Sequence, residues 1–125
     1  MTIVGFIQMI TPEPPPQKKQ KVEQPPLPMI IAVDFDGTLC QNRWPRIGRA
    51  NQPVIDWLII QRQKGIKLIL WTMREGKLLD EAVEWCRSHG LTFDAVNDNL
   101  AEVKARYGNN PRKVYADYYL DDHNL

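Results

Sequence analysis

The chain has 125 residues and a net charge of +1, which leaves room for one ordinary domain and excludes two full-sized ones. Hydrophobic residues make up 43% and charged residues 25%, a soluble globular balance, and no apolar run approaches the roughly 20 residues that span a bilayer. The near-zero charge gives no general electrostatic case for nucleic-acid binding, although a local patch could serve. Two cysteines, Cys40 and Cys86, are too few for a disulfide framework or a zinc site, so reduced thiols in a cytoplasmic protein are the default.

Thr2–Ile10 is short and apolar, but it lacks a basic leader and a small-residue cleavage site, which argues against a signal peptide. An added edge strand, a docking motif and a disordered tail all stay open for it. Seven of the ten prolines then fall between Pro12 and Pro28, among Gln17, Lys18, Lys19, Gln20, Lys21 and Gln24. Proline lacks an N–H and fixes φ, so this stretch reads as an extended, flexible polyproline-like linker. Residues 1–28 are therefore a segment plus linker, and residues 29–125 are the folding unit, in which 13 Lys and Arg balance 13 Asp and Glu. Met29 directly precedes Ile30-Ile31-Ala32-Val33, so translation beginning there is an alternative.

Ile30–Phe35 is a continuous apolar run ending in carboxylates, as expected of a strand buried on both faces. Gln41–Gln52 is polar, with Pro45 and Gly48, and reads as loop. Pro53–Lys64 reads as a helix, with proline at its first turn and Gly65 closing it. Ile66–Trp71 is a second buried strand. Leu79, Ala82, Val83 and Cys86 place a helix over Lys77–His89, closed by Gly90. Leu91–Val96 is a third strand, Leu100–Tyr107 a short helix ended by Gly108, Asn109–Arg112 a turn, and Val114–Leu120 a fourth strand. Trp57, Trp71 and Trp85 lie on core elements and are expected to pack there. Alternating strands and helices predict an α/β fold with a small parallel sheet and right-handed crossovers. With the first strand central, the sheet order is 3-2-1-4.

In such sheets ligands bind at the carboxyl ends of the strands. The first strand ends in Asp34-Phe35-Asp36-Gly37-Thr38, the second in Thr72-Met73-Arg74 and the fourth in Asp121-Asp122. Four carboxylates on one rim repel one another unless a divalent cation neutralises them. Mg²⁺ suits hard oxygen ligands and leaves space for a substrate phosphate. Asp34 could attack phosphorus to form an aspartyl-phosphate, and Asp36 could protonate the leaving oxygen and then activate water. Gly37 would let backbone N–H groups turn toward the phosphoryl oxygens, while Thr72 and a lysine could bind them.

Asp34-Phe35-Asp36-Gly37-Thr38-Leu39 resembles the first motif, DxDGT[LIV], of the haloacid dehalogenase-like (HAD) phosphohydrolase superfamily. Thr72, after Leu68-Ile69-Leu70-Trp71, is similar to its second motif, and Asp121-Asp122, after Tyr118-Tyr119-Leu120, to its fourth. The resemblance covers Met29–Leu125 and is greatest to small, nearly capless bacterial and phage members. It implies a Rossmann-like three-layer sandwich and a Mg²⁺-dependent phosphatase. Asp34 is then the nucleophile and Asp36 the general acid/base. Asp34, the main chain of Asp36, and Asp121 or Asp122 hold the metal. Gly37, Thr38, Thr72 and Arg74 are candidates to bind substrate. The third motif is a lysine without a local signature. Lys104, early in a helix on the active rim, is preferred to Lys113, at the amino end of the last strand.

The span from Gly37 to Pro53 has no room for a folded cap, so the rim should be open to a large substrate. Arg43, Arg46 and Arg49, with Trp44 among them, could grip further phosphates and stack on a base, which makes a nucleotide or polynucleotide-end phosphatase the main refinement. For Arg74 the alternative is a structural pair with a nearby carboxylate. A non-catalytic binding module with this fold, and an adaptor recruiting a partner through the proline-rich linker, are the competing classes. The last strand, with Tyr115, Tyr118 and Tyr119, could be an open sheet edge, which predicts either a homodimer or coverage by residues 2–10.

Overall fold

The computed structural model describes residues 26–108 and 114–121. Expectations for residues 1–25, the turn at 109–112, Lys113 and Asp122 lie outside the described residues. The elements in chain order are β1 (Ile30–Val33), β2 (Cys40–Arg43), β3 (Arg46–Ala50), α1 (Gln52–Gln63), β4 (Lys67–Leu70), α2 (Gly76–Ser88), β5 (Ala95–Val96), α3 (Ala101–Tyr107) and β6 (Tyr118–Leu120). The main sheet is parallel throughout and runs β5-β4-β1-β6. Among the described residues no helix is long and apolar enough to cross a membrane.

Strand alternation divides the core in two. Ile31 and Val33 of β1, with Leu68 and Leu70 of β4, meet Ile55 and Leu58 of α1 and Ala82 and Cys86 of α2 on one face. Ile30, Ala32 and Ile69 point to the other face, against Leu100, Val103 and Val114. Both central strands are therefore apolar at every position but Lys67, as burial on two faces requires. Pro53 enters α1 in its first turn, and Gly108, with φ of 72°, closes α3 by donating its N–H to the Lys104 carbonyl.

Three expectations need correcting. Gln41–Gln52 is not an irregular loop, because β2 and β3 pair there as an antiparallel hairpin. Gly48 makes the close pairing feasible: a Cβ at that position would lie 2.3 Å from the Gln41 carbonyl oxygen. Pro45 sits between the two strands, preceded by a cis bond from Trp44. The third and fourth strands are also shorter than expected, at two and three residues. Carboxylates explain both late starts. Asp94 accepts the Leu68 N–H at 2.9 Å, and Asp117 accepts the Ile30 N–H at 2.8 Å, so side chains satisfy the donors that longer strands would have satisfied.

The tryptophans also depart from a simple core role. Trp85 meets Phe35 edge to face, but Trp57 and Trp71 are 47% and 41% exposed. Trp57 lines an apolar hollow of about 700 Å³ with Met29, Ile31, Ile66 and Tyr118, beside the edge strand β6. Asp117 lines this hollow, but Asp34, Asp36 and Asp121 do not.

Candidate active site

The carboxyl ends of the four strands are tied together by backbone bonds that run on past the strands themselves. The Asp34 N–H donates to the Leu120 carbonyl at 2.9 Å, the Trp71 N–H to Val33 at 2.8 Å, and the Asn97 N–H to Leu70 at 2.7 Å. Asn97 adopts φ of 50°, a conformation that Asn tolerates better than most residues, and its Oδ1 accepts the Thr72 N–H at 2.8 Å. These ties fix where Asp34, Thr72 and Asp121 leave the sheet.

Those three residues line one cleft of about 240 Å³. Its remaining walls are Ala32, Trp71, Met73, Tyr119 and Leu120. Trp71 and Tyr119 lean on each other across it, with ring centroids 5.4 Å apart. Met73 is 96% exposed at the cleft, so the mouth is open to solvent. Asp34 Oδ1 accepts the Phe35 N–H at 2.8 Å, which orients the carboxylate. Thr72 Oγ1 accepts the Arg74 N–H at 3.1 Å, which leaves the hydroxyl hydrogen to be donated elsewhere.

The other predicted site residues stand apart from the cleft. Asp36 turns its carboxylate onto Arg74, with Nε to Oδ2 and Nη2 to Oδ1 both at 2.8 Å. Arg74 is 2% exposed and also donates to the Pro45 and Arg46 carbonyls at 3.2 and 3.1 Å. Its guanidinium carbon lies 5.0 Å from the centre of the Phe35 ring. The hydrogen bonds it donates to Asp36 hold Arg74 more firmly charged than usual. Arg74 therefore makes the structural pair with a nearby carboxylate that was the alternative to phosphate binding, with its donors engaged inside the protein. Thr38 is fully buried, and among the described residues its Oγ1 has no hydrogen-bond partner. Gly37, with φ of 89°, gives its N–H to the Cys40 carbonyl at 2.9 Å. Lys104 reaches Asp98 at 2.8 Å and does not line the cleft.

Among the described residues no group of three or more His, Cys, Asp or Glu side chains is gathered as a metal centre. The donor chemistry of the cleft nonetheless fits a hard cation. Asp34 and Asp121 supply carboxylate oxygens to one open space, and Mg²⁺ needs only one or two carboxylates because it keeps several waters. The hairpin carries Arg43, Arg46 and Arg49 on its exposed surface, with Trp44 60% exposed at its turn.

Both thiols are buried. Burial pushes Cys86 up from its ordinary 9.0 to about 12, and burial is also the main cause that raises Cys40. A value raised on folding means that Cys86 takes nothing from stability below pH 9.0. As the pH climbs toward about 12 the unfolded thiol ionises while the folded one stays neutral, and stability falls. Unfolding free energies measured from about pH 8 to 11 should decline less steeply in Cys86→Ala than in wild type.

The fold and the cleft define a small α/β protein whose acidic cleft lies at the carboxyl edge of a parallel sheet. No family model matches the chain, and no curated protein matches it. The solved structure of a conserved protein coded by a locus of Bacteroides thetaiotaomicron is 45% identical to it, with a TM-score of 0.69, and the match covers 79% of each chain. The chain belongs to the same family as that conserved protein.

Proposed function

We propose that this protein is a Mg²⁺-dependent phosphomonoester hydrolase of the HAD-like type, with a Rossmann-like sheet order and Asp34 as its nucleophile. The observation that carries the reading is the meeting of Asp34, Thr72 and Asp121 in one open cleft at the carboxyl ends of β1, β4 and β6. Asp34 and Asp121 would hold Mg²⁺, with the main chain of Asp36 and with Asp122 as the sequence resemblance implies. When bound, the ion supplies positive charge that offsets the carboxylates and the phosphoryl oxygens.

The protein's own groups then act in two half-reactions. In the first, a carboxylate oxygen of Asp34 forms a bond to phosphorus while the ester P–O bond breaks, and Asp36, having taken a proton from solvent on a lone pair that Arg74 leaves open, gives that proton to the departing alkoxide. Thr72 donates its hydroxyl hydrogen to a phosphoryl oxygen as charge builds there. In the second, Asp36 takes a proton from water, the water oxygen bonds to phosphorus, and Asp34 leaves as a free carboxylate with release of inorganic phosphate. Lys104 joins the site only by leaving Asp98.

Hydrolysis of p-nitrophenyl phosphate tests the reading. Turnover should fall at least about a hundredfold in excess EDTA and return when Mg²⁺ is restored. Metal-independent turnover would sink it. The exposed hairpin arginines beside Trp44 favour a nucleotide or a polynucleotide end as the phosphate donor. A parallel screen of sugar phosphates, nucleotides and 5′- or 3′-phosphorylated oligonucleotides would separate these classes.

A further inference from the structure

We propose that Arg74 is a positioning residue for Asp36, locking the acid/base carboxylate to the β2–β3 hairpin rather than binding substrate. The assignment rests on the phosphatase reading and goes beyond it, because it gives a role to a buried cation that the reading leaves unused.

Geometry separates the two roles open to Arg74. A phosphate ligand must present its guanidinium to solvent, yet the Arg74 side chain is fully buried, whereas its partner Asp36 keeps part of its side chain exposed. Instead its planar fork fits the two oxygens of Asp36 at 2.8 Å each. The same group donates to the Pro45 and Arg46 carbonyls at the hairpin turn, and the Phe35 ring lies beneath it. One cation thus joins three pieces of chain: the loop after β1, the loop after β4 and the hairpin.

A carboxylate has about four lone-pair directions, and the fork occupies two. The Asp36 side chain keeps 16% of its surface exposed. Arg74 therefore fixes the plane of the carboxylate without covering it. A lysine, as a point charge on a flexible stem, cannot reproduce that two-point grip. Arginine is needed for its geometry more than for its charge.

The test compares p-nitrophenyl phosphate with phenyl phosphate, whose leaving oxygen is more basic and depends more on a proton donor. In Arg74→Lys, kcat for phenyl phosphate should fall at least about tenfold more than kcat for p-nitrophenyl phosphate, with KM for both within about twofold of wild type. Asp36→Asn should show the same bias. Adding Arg74→Lys to it should lower kcat by less than about twofold more, because one residue acts through the other. A rise in KM with kcat unchanged, equal losses on both esters, or additive losses in the double variant would overturn the assignment. If the Arg74→Lys protein does not fold, Arg74→Gln, which keeps a planar donor, replaces it. The wild-type ¹⁵N spectrum supplies a readout without turnover: a slowly exchanging Arg74 Nε–H that shifts in Asp36→Asn is expected, and a rapidly exchanging one counts against the lock. A wild type inactive on both esters overturns the phosphatase reading and the assignment together, which is a different result from an active wild type with additive variants.

Discussion

Asp34→Asn should reduce kcat on p-nitrophenyl phosphate by on the order of 10⁴-fold while leaving the fold intact. The amide has the shape of the carboxylate and keeps an Oδ1 to accept the Phe35 N–H, now held at 2.8 Å. The Asp34 backbone bond to Leu120 does not involve the side chain, so the carboxyl ends of β1 and β6 stay joined. What the substitution removes is the anionic oxygen that would bond to phosphorus. Thermal unfolding midpoints of the two proteins should agree within a few degrees, so that lost turnover cannot be laid to lost structure. Intact-mass analysis of acid-quenched reactions should show a phosphoryl adduct on wild type that hydroxylamine removes, and none on the variant. An Asp34→Asn protein that still turns over would mean that the cleft works without this nucleophile.

The parts legible in the sequence are those where composition leaves the chain little choice. Ile30–Val33 and, after Lys67, Leu68–Leu70 are apolar runs, and a run buried on both faces can only be a central strand or a core helix. Asp34, Thr72 and Asp121 were legible as neighbours because a parallel sheet puts strand ends together. The hairpin was not. Its strands, Cys-Gln-Asn-Arg and Arg-Ile-Gly-Arg-Ala, expose most of their side chains and carry no alternating apolar pattern. Strand ends were misjudged where Asp94 and Asp117 act as backbone acceptors, because nothing local distinguishes such a carboxylate from a solvated one. The Asp36–Arg74 pair spans 38 residues and is invisible to any local rule. Asn97 offered a faint signal, since Asn within a Val-Asn-Asp-Asn stretch is a natural place for positive φ.

The second large effect concerns stability. Phe35→Ala should destabilise the protein by about 3–5 kcal/mol, read as a lower urea midpoint with an unchanged slope. Phe35 lies between Asp34 and Asp36 in sequence, yet it is fully buried while both aspartates keep some exposure. Its ring meets Trp85 edge to face at 5.5 Å and lies under the Arg74 guanidinium, so truncation leaves a cavity between the sheet, α2 and the buried cation. The aromatic pair alone accounts for roughly 0.5–1.5 kcal/mol, and the cavity for most of the rest. For a domain of this size the melting point should drop by on the order of 15 °C. Phe35→Leu keeps most of the volume and should cost less than half as much. The leucine variant carries the sharper test. It retains the packing that keeps the chain folded but loses the flat surface beneath Arg74. A Phe35→Leu protein that melts near wild type, yet favours p-nitrophenyl phosphate over phenyl phosphate as Arg74→Lys should, would show that the ring holds the acid/base group through the arginine. The same protein with unaltered ester preference would confine Phe35 to the core.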